Sequence, residues 1–113
     1  MIREFVYLPL FEKNWCGLGL APGALVELEN QLLKDPHIGK VIEGTGGLRK
    51  MRFALPNTGK SGGVRVLYVD FVQSEKLFFV NVYAKAKQKS LSDEEKALLK
   101  QAVKALGDEL RKE

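Results

Sequence analysis

Cysteine and histidine are almost absent, with one of each in 113 residues, Cys16 and His37. A single cysteine excludes an intramolecular disulfide. A zinc site of Cys and His needs about four such ligands, more than these two supply. Any Ser-His or Cys-His catalytic pair would have to use His37, which follows Asp35-Pro36 in a connecting segment. His37 therefore reads as a solvated loop histidine, and Cys16 as a small buried hydrophobe. Neither a metal nor a cofactor is expected. Long apolar runs are also lacking. No stretch reaches the roughly 18 apolar residues that a spanning helix needs. The first residues, Met1-Ile2-Arg3-Glu4-Phe5-Val6-Tyr7, have no signal-peptide apolar core with a small-residue cleavage site. The expectation is a cytoplasmic protein with a single domain over residues 1–113.

What is present is a core and an uneven charge. Hydrophobic residues make up 45% of the chain, enough to bury a real interior. The net charge is only +4, but residues 49–89 hold nine Lys/Arg against Asp70 and Glu75, which makes that stretch +7 and the rest of the chain −3. Segregation of this kind points to a polyanionic partner for the middle of the chain.

The pattern predicts a strand over residues 2–8, stopped by Pro9, and a short helix over 10–16 that ends at Gly17 and Gly19. A second helix opens at Ala21-Pro22-Gly23, with Leu25, Leu28, Leu32 and Leu33 at helical spacing, and closes at Asp35-Pro36. A glycine-rich segment follows. Three strands are then predicted, over 48–55, 63–72 and 77–85, the first two joined by the turn-forming residues 56–62. Ser92 and Glu95 make a capping box for a last helix with Leu98, Leu99, Ala102, Val103 and Leu106 on one stripe. The fold class is α+β: an antiparallel sheet, two N-terminal helices on one face and a C-terminal helix.

Side chains at i and i+2 share a face of a strand. Met51, Phe53, Val64, Val66, Phe78, Val80 and Val82 assemble one apolar face. The other carries Lys50, Arg52, Arg65, Tyr83 and Lys85 towards one end, and Leu67, Val69, Phe71, Leu77 and Phe79 towards the other. The C-terminal helix is expected to cover the apolar end and leave the basic end open. Like charges this close repel, by roughly 1 kcal/mol per pair at 4 Å in water. A fold tolerates this where an anion sits, and an aromatic among the cations adds a surface for stacking a base.

Residues 54–61 fit a loose P-loop pattern. A phosphate-binding loop must open a helix, but here Gly63-Val64-Arg65-Val66 follows, which reads as a strand. Nucleotide hydrolysis is rejected on that ground.

Three segments resemble one family in order and spacing: Gly46-Gly47-Leu48-Arg49-Lys50-Met51-Arg52, Gly59-Lys60-Ser61-Gly62-Gly63-Val64-Arg65-Val66-Leu67-Tyr68 and Val82-Tyr83-Ala84-Lys85-Ala86-Lys87. The chain is similar to the RelE/ParE superfamily of toxins, and most of all to its HigB-like branch. That resemblance implies the toxin of a type II toxin–antitoxin pair, a metal-independent endoribonuclease that cuts mRNA in the ribosomal A site. It implies a cognate antitoxin of the helix-turn-helix type, which would be the toxin's only link to DNA. The catalytic positions it implies are Lys50, Arg52, Arg65, Tyr83 and Lys85. Arg49, Lys60, Lys87 and Lys89 would bind RNA. Lys50 would take the proton of the 2′-OH, Arg65 clamp the phosphate, Tyr83 stack or orient, and Lys85 or Lys87 return a proton. Some relatives have a histidine or second tyrosine after the last strand, and Gln88-Lys89-Ser90 offers neither. The alternatives are a ParE-like toxin that blocks gyrase, and an RNA- or ribosome-binding module without catalysis.

Overall fold

The computed structural model describes residues 2–54, 63–87 and 90–112, Lys87 by its backbone alone. The predicted turn over 56–62, with Lys60, lies outside the described residues, as does Lys89. The chain runs β1 (Glu4–Tyr7), α1 (Pro9–Gly17), α2 (Ala24–Lys34), β2 (Lys40–Val41), β3 (Arg49–Phe53), β4 (Val64–Phe71), β5 (Lys76–Ala84) and α3 (Asp93–Arg111). Short 3-10 turns follow β4 and β5. The sheet order is β1-β5-β4-β3-β2.

The α+β class stands, with one change to the sheet. β1 pairs with β5 in parallel, Tyr7 opposite Phe79, whereas the other pairings are antiparallel. The parallel pair is possible because α1, α2 and three strands separate β1 from β5 in the chain, which is ample for a crossover. The glycine-rich segment expected as loop also contributes the two-residue edge strand β2.

One face of the sheet packs on α1 and α2. Phe11, Leu28 and Leu32 meet Met51, Phe53, Val64, Val66, Tyr68, Leu77, Phe79 and Val82. Phe79 is the centre of an aromatic stack, with its ring centroid 4.9 Å from Phe11 and 5.3 Å from Tyr7. Such pairs add about 0.5–1.5 kcal/mol beyond the area they bury. The other face packs on α3: Leu48, Leu67, Val69, Phe78 and Val80 meet Leu99, Val103, Leu106 and Leu110.

This corrects the predicted faces of β5. Strict alternation grouped Phe78 and Val80 with Val82, and Leu77 and Phe79 with Tyr83. In the structure Leu67 pairs with Asn81 but Tyr68 pairs with Phe79, so Val80 is an extra residue, a β-bulge. A bulge shifts the alternation by one, so every side chain before it changes face. Phe78 and Val80 therefore face α3, and Leu77 and Phe79 face α1 and α2.

α3 forms as expected. Ser92 accepts from the backbone N–H of Glu95, whose side chain accepts in turn from the N–H of Ser92. Cys16 corrects another expectation, since it is exposed near the end of α1 rather than buried. His37 is half-exposed but not solitary, with Nε2 3.1 Å from Asp70 Oδ2.

Candidate active site

Three neighbouring strands build the basic end. Arg52 pairs with Arg65, and Arg65 with Tyr83, so these residues form one row across β3, β4 and β5. The next row is Lys50, Leu67 and Asn81. Two arginines directly opposite each other on one face repel. Arg52 is exposed and can turn its charge to water. Arg65 cannot. It is 7% exposed, and its Nη1 is buried with no hydrogen-bond partner among the described residues. A buried donor without a partner costs about 1–3 kcal/mol, and more when it is charged. Among the described residues that group has nothing to satisfy it.

A cleft of about 230 Å³ opens beside it, lined by Ile42, Lys50, Leu67, Asn81, Tyr83, Leu91 and Glu95. Tyr83 is half-buried in its wall. Burial pushes the Tyr83 phenol above the usual tyrosine value of 10, and the Arg65 charge draws it partly back. The raised direction wins, so at neutral pH Tyr83 is a protonated donor. The cleft therefore offers a lysine amine, a phenol O–H, a carboxamide and the Glu95 carboxylate over an apolar floor, with the Arg65 guanidinium in the adjoining row. Together these can hold a phosphodiester and position the ribose beside it.

α3 covers the apolar end as expected but reaches further than expected. Its approach residue Leu91 and first-turn residue Glu95 form a wall of the same cleft, and Tyr83 packs at the margin of the α3 face. Sequence reasoning did not assign Ile42, Asn81, Leu91 or Glu95 to the site. Asn81 alone carried a signal, since it sits two residues from Tyr83 on a strand.

The remaining candidates are placed differently. Lys85 is exposed in the 3-10 turn after β5 rather than on the strand, with its backbone N–H 3.4 Å from the Gly63 carbonyl. Arg49 is not brought to the cleft. It shares the opposite face with Met51 and Phe53, and its Nη1 donates to the carbonyls of Gly39 at 2.8 Å and His37 at 3.4 Å. It holds the loop that Tyr68 also anchors, through bonds to Pro36 and Gly39. Gly39 is required there, because a Cβ would lie 2.9 Å from the Tyr68 ring. Among the described residues, no group of three or more His, Cys, Asp or Glu is placed to hold a metal ion, and no helix is long and apolar enough to cross a membrane.

Among solved structures, a mutant of the E. coli toxin RelE in the free state has a similar fold. It is 19% identical, with a TM-score of 0.53 over 77% of this chain and 86% of that one. A family profile described as the RelE toxin of the RelE/RelB toxin–antitoxin system matches residues 33–113. That match covers most of the chain and includes every strand of the basic end, so this protein belongs to the RelE toxin family, the translation-inhibiting mRNA endoribonucleases of toxin–antitoxin pairs.

Proposed function

We propose that the cleft beside Arg65 is where this toxin cuts mRNA, and that the cut uses the substrate's own 2′-OH without a metal ion. The observation that carries this is the buried Nη1 of Arg65, without a partner among the described residues, in one row with Arg52 and Tyr83. Arg65 holds the scissile phosphate and stabilises the charge that grows on it. The neutral amine form of Lys50 takes the 2′-OH proton as that oxygen attacks phosphorus, becoming the ammonium. The bond to the 5′-oxygen of the next nucleotide breaks, leaving a 2′,3′-cyclic phosphate. The departing oxygen receives a proton from the protonated Tyr83 or from a lysine of the Lys85–Lys87 turn. Arg52 adds charge at the rim. Lys60, Lys87 and Lys89 remain candidates for contacts to the RNA backbone.

In this reading the toxin is one domain over residues 1–113, works in the cytoplasm and acts in the ribosomal A site. Its antitoxin is of the helix-turn-helix type, as in the HigB-like branch. The ParE-like alternative has no comparable use for a buried arginine next to a phenol. The test is ribosome-dependent cleavage of a translated mRNA. Arg65→Ala and Lys50→Ala should each remove the cut ends. Undiminished cleavage by both variants would place the chemistry elsewhere, and DNA damage with intact mRNA would favour the gyrase reading.

A further inference from the structure

The row Lys50, Leu67 and Asn81 contains one neutral polar side chain, and its hydrogen bonding is one-sided. Asn81 Oδ1 accepts from the backbone N–H of Val82 at 2.8 Å and from Asn14 Nδ2 at 2.7 Å. A backbone N–H can only donate, so the amide oxygen must be the atom that faces Val82. An amide oxygen has two acceptor sites, and both are then engaged. Asn14 reaches Asn81 from α1, so the side chain is held from outside its own strand. What Asn81 still offers a ligand is its Nδ2 group, which is two donors and no acceptor. Among the described residues no hydrogen bond made by that group is present. The residue is half-buried and borders the cleft together with Lys50 and Tyr83.

We infer that Asn81 touches the RNA and sets base preference at the cut, favouring a base that presents a carbonyl oxygen, as guanine, uracil and cytosine do, over adenine, which has none. An asparagine that reads adenine in a paired fashion accepts from one base atom while donating to another. With its oxygen fixed by Val82 and Asn14, Asn81 can only donate. The phosphate is already served by the cations, so a neutral double donor in the adjacent row suits a base rather than the backbone. This inference rests on the nuclease reading of the cleft.

The test maps cut ends on an mRNA translated in a purified system with wild-type toxin and with Asn81→Asp, Asn81→Ala and Asn14→Ala. Aspartate keeps an oxygen for Val82 and Asn14 and replaces the donor with an acceptor. Alanine removes the donor without adding charge. Both Asn81 variants should lose roughly tenfold or more at guanine, uracil and cytosine relative to adenine. Asn14→Ala should keep wild-type cutting at guanine, uracil and cytosine and gain at adenine, because it leaves the donor and frees one acceptor site on Oδ1. If Asn81→Ala fails to fold, Asn81→Asp carries the test, since it preserves both structural bonds. No cut ends from the wild type would overturn the nuclease reading itself. Wild-type cutting with an unchanged base distribution in the Asn81 variants would overturn this inference alone. So would an equal loss at every base, or an Asn14→Ala toxin that behaves like Asn81→Ala.

Discussion

Strand β4 buries two opposite charges, Arg65 and Asp70, and the fold treats them in opposite ways. The Asp70 side chain is 1% exposed and fully partnered. Arg3 Nε and Nη2 reach its two carboxylate oxygens at 2.7 and 3.1 Å, and His37 adds a third contact at 3.1 Å. The Asp70 charge in turn raises the Arg3 guanidinium further above its ordinary value, chiefly through their hydrogen bond. Arg65, roughly 17 Å away along the strand at about 3.3 Å per residue, is nearly as buried but has a nitrogen without a partner among the described residues. At the Asp70 end the chain completes its own ion pair and ties its first strand to the sheet. At the Arg65 end no described residue completes one. A buried charge that is completed internally serves folding, and the proposed role of Arg65 is to meet a ligand.

This contrast predicts opposite responses to mutation. The largest effect should come from Arg65→Met, with cleavage falling roughly 10²–10³-fold, as for loss of a donor to a developing anion. Its thermal stability should hold or rise, because an uncompensated charge is replaced by apolar volume. A melting temperature that falls with activity would make Arg65 a structural residue and break the contrast. Next, Arg3→Ala should destabilise the fold by about 3 kcal/mol, since it strands the Asp70 carboxylate in the interior. Denaturant unfolding reads this, and cleavage by the folded fraction should be unchanged.

Tyr83→Phe should reduce cleavage about 10–100-fold if the phenol donates a proton or orients one, with little change in stability. The smallest effect concerns pH. Burial raises both the Tyr68 and Tyr83 phenols above the ordinary tyrosine value. Above a pH of about 10 the unfolded chain releases these protons while the folded chain retains them, so stability is full below that pH and declines as it is exceeded. Chemical denaturation at a series of alkaline pH values should show the decline, and Tyr68→Phe should reduce it.

Much of this was legible in the sequence, for definite reasons. The capping box of α3 is local chemistry, and Ser92 and Glu95 declare it. The shared face of Lys50, Arg52, Arg65 and Tyr83 follows from alternation past polar residues, which mark the open face. β5 was not legible in the same way. Leu77-Phe78-Phe79-Val80 is apolar throughout, so no polar residue reveals which way each side chain points or that Val80 is extra. The parallel pairing of β1 depends on tertiary packing and leaves no local trace. For Arg49, alternation already set it opposite Lys50, and the structure adds the carbonyls to which its Nη1 donates. Asn81 needed the structure, because its value lies in which of its atoms Val82 and Asn14 have already taken.

The most direct test of the incomplete charge is to locate the phosphate. A structure of the toxin on a ribosome, with an mRNA carrying a 2′-O-methyl group at the cut site, would hold the substrate before cleavage. The scissile phosphate should lie within about 3 Å of Arg65 Nη1, with the Arg3–Asp70 pair undisturbed. A phosphate seated elsewhere, with that nitrogen still unpartnered, would contradict the account.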